Sequence, residues 1–529
     1  MKRILAITLS CLLVCTGCAS TPSTSSTPSV PDDVPPITET DGETLPPFEG
    51  DVLPVISIVT EKTGDDALAF VTDPVAPHVS AQIASWTPGY QMPPAPWYEP
   101  CSITVTDGGT ALLSAPAQVK VRGNWTTTYD KKPLRIKFDE KQSVLGLNGG
   151  EAFKSWVLLA LYKDTSLLRD KTALAMARDI LGADGLYAAD SQLVEVTVDG
   201  QYWGVYLLTE QQQVDGDRID ITKPADGYEG TDIGYLLEFD GYYTEEDDLH
   251  SFTIGYAENA PLVPFDGQDE SGLRMTPLPV GRHDVRPVVG YTIKSDVYSA
   301  AQRDCIAARL EAVYEVMYAA AYEDRALVLG PDGALTEADI APQEAVSQVA
   351  DLDSLADMYL LCELTCDADL YWSSFFLTCD LGPDGDGRLR FEAPWDFDST
   401  MGNKDRCADG TGLYAANILW DVNDQYQSIQ PWLAVLIHED WFQDIVREKW
   451  AAARDGGVFD RALAGIASDT ETCADAFARD EARWDTLTHN EASSEWTVAV
   501  RRCRTHADTA AILSDWLTAR VAFLDTVWG

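Results

Sequence analysis

An α+β fold in two lobes, with a β-rich lead-in before it and a helical region at its end, is what this sequence predicts. Three observations carry the prediction. Strand-like apolar runs cluster in the first half of the chain. Amphipathic helical patterns dominate from Gln430 to the end. Between them, a strand, a helix and a hairpin follow one another from Val119 to Gln211.

The N-terminus reads as an address. Lys2 and Arg3 precede a mostly apolar run from Ile4 to Val14, which is too short for a permanent membrane helix and suits a cleaved signal. The run ends in Cys15-Thr16-Gly17-Cys18, small residues and a cysteine that resemble a bacterial lipobox. Residues 1–17 are therefore expected to be a lipoprotein signal peptide and Cys18 the lipidated residue, with simple secretion as the alternative. Residues 18–48 are dominated by Ser, Thr and Pro and have almost no apolar surface to bury, so they are expected to be an extended tether.

The remaining chain is long enough for a large core. It is strongly acidic, with 85 Asp and Glu against 38 Lys and Arg and a net charge of −47, or −49 once Lys2 and Arg3 leave with the signal. Such a surface repels nucleic acid and anionic lipid, which excludes both as expected partners and favours a basic protein or cations. Eight cysteines lie beyond Cys18, an even number that permits disulfides without fixing their pairing. Cys362, Cys366, Cys379 and Cys407 lack the paired C-x-x-C spacing of a zinc knuckle.

The elements follow in order. Residues 49–118 form the lead-in, with strands expected at Val52–Val59 and Ile103–Thr106 around a Pro- and Trp-rich loop. Val119 to Asn124 is a short strand and turn. Leu134 to Phe138 alternates strictly, apolar on one face with Arg135 and Lys137 on the other. Trp156 to Leu159 is a continuous apolar run suited to a buried strand. Asp164, Thr165 or Ser166 is placed to cap a helix that Gly182 ends. Leu193–Val198 and Tyr202–Leu208 flank Asp199-Gly200, a strong hairpin signal. That order, with a polar exit at Thr209-Glu210-Gln211, is the order of a kinase small lobe. In the second lobe, strands are expected at Ile233–Phe239, Ser374–Thr378 and Arg388–Phe391. Helices are expected at Ser299–Ala321 and from Leu355 to about Cys366. Residues 119–425 form the main domain and residues 426–529 the helical end of its large lobe.

Phosphoryl transfer asks for a carboxylate to orient the attacking hydroxyl, carboxylates to hold a divalent metal, and a cation near the phosphates. Asp369 lies at a helix end, just after Asp367, and a hairpin then carries the chain to Trp395-Asp396-Phe397-Asp398. A hairpin returns to its starting edge, so Asp369 and Asp396 are expected to converge. No P-loop, G-x-S-x-G or H-E-x-x-H motif occurs. Gly410-Thr411-Gly412-Leu413-Tyr414-Ala415 matches a dinucleotide fingerprint weakly, and no strand is predicted before it.

Several segments, taken in order, resemble the CotH kinase family, whose type is spore coat protein H. They are Arg122-Gly123-Asn124, Lys131 to Phe138, Trp156 to Ala160, Leu167 to Asp170, Gly204 to Gln211, Glu363-Leu364-Thr365 and Trp395 to Asp398, with an echo in Trp516 to Arg520. The resemblance implies an atypical two-lobed protein-kinase-like fold, ATP with magnesium or manganese, and protein serines as acceptors. It implies Asp369 as the catalytic carboxylate and Asp396 as the metal ligand, with Asp398 and Asp367 beside them. For the nucleotide, Lys137 is the favoured phosphate cation, Arg135 and Lys132 are its rivals, Arg169 stands at the helix start and Glu210 at the hinge. Asp367 stands where many members have Asn, and no glycine-rich loop precedes Lys137. The expected activity is a surface-tethered serine/threonine kinase acting on secreted or coat proteins, basic and Ser-rich ones among them. A non-catalytic surface scaffold on the same fold is the alternative, and transfer of another nucleotide moiety such as AMP is a third.

Overall fold

A computed structural model describes residues 48–529 except 49, 51, 65–66, 260, 266–277, 280–288, 405–408, 418 and 421–426. The signal, Cys18, all of the tether but Phe48, and Cys407 lie outside the described residues. The chain folds as α+β.

Seven strands close into a barrel: β1 (Val55–Thr60), β2 (Glu99–Asp107), β3 (Thr110–Val121), β4 (Leu134–Gln142), β5 (Phe153–Leu159), β6 (Ser191–Val198) and β7 (Gln201–Glu210). Their order is β1-β2-β3-β4-β5-β7-β6, and β1 closes the ring by pairing parallel to β6, with Val55 opposite Glu195. Strands of the lead-in and strands after Val119 therefore share one sheet. Alternation explains which side chains fill it. Leu134, Ile136 and Phe138 of β4 join Ile103, Val119, Trp156 and Leu158 in one interior cluster. Val157, between Trp156 and Leu158, points outward into the main core instead, so β5 is buried on both faces. The β6–β7 turn is Asp199-Gly200 with φ of 47° and 76°, the double positive φ a type I′ turn needs. The Asp199 carboxylate also accepts the Thr60 N–H at 2.7 Å and ties the hairpin to the end of β1.

Helix α1 (Pro77–Trp86) lies in the loop between β1 and β2. Helix α2 (Arg169–Leu181) packs on the outer barrel wall, its Leu174, Ala177 and Leu181 in the cluster that holds Val157, Val205 and Leu207. The cap expected at Asp164–Ser166 acts from a turn before the helix. The Asp164 carboxylate accepts the N–H groups of Ser166, Leu168 and Arg169 and pairs with the Arg169 guanidinium.

A second sheet is antiparallel and runs β12-β11-β8-β10-β9, with β8 (Gly234–Asp240), β9 (Ser251–Phe252), β10 (Gly290–Ile293), β11 (Phe375–Asp380) and β12 (Leu389–Phe391). Helix α3 (Ala300–Glu323) begins at a capping box of Ser299 and Gln302. Helix α4 (Leu352–Thr365) ends at Cys366, whose left-handed φ of 47° turns the chain towards Asp369. Helices α5 (Asp440–Asp455), α6 (Val458–Thr472), α7 (Ala474–Trp484) and α8 (His506–Trp528) make the end of the chain helical. Among the described residues Cys101, Cys305, Cys362, Cys379, Cys473 and Cys503 are free thiols, and no group of three or more His, Cys, Asp or Glu is arranged as a metal cage.

Candidate active site

A cleft of about 1140 Å³ lies between the outer wall of the barrel and the second sheet. The β3–β4 loop, the end of β5, the start of α2, the exit from β7 and the segments after α4 and β12 all reach it. Local structure explains the convergence. Strands β11 and β12 pair with Leu377 opposite Phe391, so the chain before β11 and the chain after β12 emerge at one edge. Asp369 is on the first, Asp396 and Asp398 on the second, and all three line the cleft. Asp396 holds a φ of 70°, a left-handed backbone that a residue with a Cβ adopts at a cost of about 1–3 kcal/mol.

Two lysines knit these carboxylates together. Lys163, just beyond β5, sits 3.4 Å from Asp398, 3.6 Å from Glu495 and 4.0 Å from Asp369, and donates to Ser399 Oγ at 2.7 Å. Lys404 reaches Asp369 at 2.9 Å and Glu495 at 3.2 Å. Burial opposes the Lys163 charge, but Asp398, Asp369 and Glu495 outweigh it and hold the ammonium well above the ordinary lysine range.

The carboxylates are more numerous than their cations. Burial, then Asp398 and Asp369, push the Asp396 carboxyl up to about 7 against the pull of Lys163 and Arg122. Behind it, Asp170 at the start of α2 accepts the Phe397 N–H at 2.9 Å. Burial, then Asp398 and Asp396, raise the Asp170 carboxyl well above its usual range. A site that crowds carboxylates until they resist ionisation is built to gain from a bound cation. The donors are oxygen throughout: Asp396, Asp398 and the Ser374 hydroxyl 3.4 Å from Asp396. Magnesium and manganese take such donors, and magnesium uses one or two carboxylates with water and substrate phosphates rather than an all-protein cage. The residues present therefore fit a divalent ion held by Asp396 and Asp398.

The other sequence candidates divide. Arg135 lines the cleft. Lys137 stands one rung further along the same outward face of β4, is exposed, and lies outside the lining. Lys132 is buried and its ammonium donates to the Thr127 carbonyl. Arg169 is fully buried against Asp164. Glu210 is fully buried, paired with Arg218 at 3.0 Å, while its neighbours Gln211 to Gln213 line the cleft. Asp367 is buried beneath Asp369, accepting its N–H at 3.0 Å, and burial first and Asp369 next raise its carboxyl well above the usual range. The Gly410–Ala415 segment does not open a helix. Arg520 takes the carbonyls of Gly410 and Gly412, and Glu363 accepts the N–H groups of Tyr414 and Ala415.

Lys163, Lys404, Arg122 and Glu495 escaped the sequence reading. The signal available for Lys163 was its place between a buried strand and a helix cap. Glu495 offered none, because a contact across more than 300 residues leaves no local pattern.

The model of one protein family, described as CotH kinase protein, matches residues 119–259 and 333–512. These segments contain all the lysines and carboxylates named above. No curated protein matches the chain.

Proposed function

The chain belongs to the CotH kinase protein family, and from that premise we propose that it is an atypical ATP-dependent protein serine/threonine kinase. The observation that carries this reading is the pairing of Asp369 with Asp396 and Asp398 across one cleft, with Lys163 and Lys404 between them. The barrel and the second sheet act as the small and large lobes. Asp396 and Asp398 would hold a divalent ion, which would supply charge neutralisation for the nucleotide's phosphates. Asp369 accepts the proton of the attacking serine or threonine hydroxyl. The hydroxyl oxygen forms a bond to the γ-phosphorus as its bond to the β-phosphate oxygen breaks, and ADP leaves. Lys163 and Lys404 face the charge that develops on the transferring group.

We further propose that Cys18 anchors the protein outside the bacterial membrane and that basic, Ser-rich secreted or coat proteins are its acceptors. The net charge of −47 supports a basic partner. The test is label transfer from ATP to such peptides with magnesium or manganese, the transferred group being identified by mass. Asp369→Asn should keep metal–nucleotide binding and lose transfer, whereas Asp396→Asn should lose both. A wild type that binds no metal–nucleotide complex returns the chain to the scaffold reading.

A further inference from the structure

A turn near the helical end of the chain reaches the cleft, and the transfer chemistry above gives it no role. It runs from Asn490 to Thr497, between α7 and α8, and contains a single 3₁₀ segment over Glu491–Glu495. Runs this short do not hold themselves in place, and long-range anchors hold this one. The Asn490 side-chain amide donates to the Tyr162 carbonyl at 2.7 Å, and the Trp496 indole donates to the Lys163 carbonyl at 2.9 Å. The Tyr162 hydroxyl donates to Glu491 at 2.5 Å, and Ala492 is buried in the interior cluster of the barrel. At the far end, the Thr497 N–H donates to the carbonyl of Asn403, the residue before Lys404, at 2.9 Å. The hydrogen-bonded anchors thus lie on or next to the two lysines that face the transferring group.

Fixing both ends fixes what lies between them. Glu495 reaches Lys163 at 3.6 Å and Lys404 at 3.2 Å, and the same two ammoniums lie 4.0 Å and 2.9 Å from Asp369. Ser494 precedes Glu495, with about 3.8 Å between their Cα atoms, and it lines the cleft. It is exposed, and among the described residues its hydroxyl has no hydrogen-bond partner. Ser493 shares the turn but lies outside the lining. An acceptor in phosphoryl transfer needs a free hydroxyl, held where a carboxylate can take its proton. Here the chain brings such a hydroxyl from its own sequence to the cations that bracket Asp369.

We propose that Ser494 is a modification site, phosphorylated by the cleft of the same molecule. The inference rests on the kinase reading. Asp369 takes the proton of the Ser494 hydroxyl. Ser494 Oγ forms a bond to the γ-phosphorus of a nucleoside triphosphate as the bond to the β-phosphate oxygen breaks, and the nucleoside diphosphate leaves. Tethering spares the step an encounter with a second molecule, so its rate does not depend on protein concentration. The product carries about two negative charges beside Lys163 and Lys404 and competes with Glu495 for them.

The test incubates the full chain with ATP and magnesium or manganese and locates phosphate by peptide mass mapping, with a basic Ser-rich peptide offered in a parallel sample. One site is expected, Ser494, labelled with a half-time that tenfold dilution of the protein leaves unchanged. Ser493→Ala should still be labelled at Ser494. Ser494→Ala and Asp369→Asn should not be labelled, and Ser494→Ala should melt with the wild type because its side chain is exposed. A second readout needs no turnover. Metal with a non-hydrolysable triphosphate should slow amide exchange in residues 490–497 and leave residues 327–337, outside the cleft lining, unchanged. Phosphate on the added peptide but not on Ser494 overturns the site and leaves the kinase reading standing. So does phosphate on Ser493 or Ser373 instead, a half-time that lengthens on dilution, or unchanged exchange in residues 490–497 with the nucleotide bound. Label on neither the peptide nor the chain sinks the kinase reading and the site with it. Label on Ser494 but on no added peptide upholds the site and removes only the basic, Ser-rich acceptor.

Discussion

Two groups of buried charge sit within six residues of each other in the chain and follow opposite rules. Glu363 pairs with Arg520 at 2.5 Å, both fully buried. The guanidinium donates to the Glu363 carbonyl and carboxylate and to the carbonyls of Gly410 and Gly412, using every N–H it has. The carboxylate also accepts two backbone N–H groups. That set is closed. The cleft, beginning at Asp369, is open: Asp369, Asp396, Asp398, Asp170 and Glu495 outnumber Lys163 and Lys404, and the surplus shows as carboxyls that resist ionisation. A closed set stabilises the fold, and an open one is completed by a ligand.

Removing one partner from the closed set should have the largest effect on folding. Arg520→Ala leaves the buried Glu363 carboxylate without its counter-charge and the carbonyls of Gly410 and Gly412 without the donor Arg520 supplies, and should cost about 3–5 kcal/mol, read from urea denaturation. Asp396→Asn, in the open set, should cost nothing or raise stability slightly. If the two variants unfold at the same denaturant concentration, the distinction between closed and open sets fails.

The comparison sharpens at Lys163, which belongs to the open set and lies within 4.0 Å of Asp369, Asp398 and Glu495. Lys163→Met keeps the stem that packs beneath the ammonium and removes its charge. Transfer should fall about 100- to 1000-fold, in line with loss of one preorganised stabiliser of developing charge, while the melting temperature moves little. Unchanged turnover would reduce Lys163 to a structural bridge like Arg520.

Much of this was legible in the sequence, and the missing part has a common cause. Hairpin Asp199-Gly200 and the helix end at Gly182 are local chemistry, and each stands where the pattern puts it; the long helix expected from Ser299 begins one residue later, with Ser299 as its cap. The family blocks pointed to Asp369 and Asp396, which the β11–β12 hairpin brings to one edge. Closure of the barrel was invisible, because β1 and β6 are paired by a register that spans about 140 residues. Strand β3 was read short because its first half alternates small and exposed side chains, so burial gave no signal before Ala115. Glu363 and Arg520 stood in two separate family blocks, and only the fold shows that they are one ion pair. Lys163 drew no attention in the sequence, which does not reveal that three carboxylates close around it.

A third group of charge lies between the two extremes and gives a smaller, pH-dependent effect. Asp357 on α4 is 1% exposed, with the Lys449 ammonium 3.6 Å away and Asp184 sharing the same lysine. Burial, then Asp184, push its carboxyl up to about 8 despite Lys449. In the unfolded chain it returns to about 4. The folded state thus holds an extra proton between those values. The contribution to stability is fully present below pH 4 and is lost as pH rises through 8. Asp357→Asn removes the titration. The variant should gain on the wild type by about 1–3 kcal/mol as denaturation is repeated from pH 5 to pH 8. A constant gap would mean that Lys449 keeps Asp357 ionised and that the group belongs with the closed set.

The smallest effect is expected at Lys137, and it separates being on the right face from being on the right rung. Lys137 and Arg135 both point outward from β4, because side chains two apart share a face. The step between them is about 7 Å. At Arg135 the wall meets the cleft; at Lys137 it meets solvent. An exposed ammonium that far from the phosphates is screened, so its contribution to binding should be a few tenths of a kcal/mol. Lys137→Ala should therefore change nucleotide affinity by less than about twofold, where Arg135→Ala changes it by tenfold or more. Equal losses in the two variants would mean that long-range charge on this face, rather than contact at the cleft, attracts the nucleotide. The distinction between the two rungs would then have to be given up.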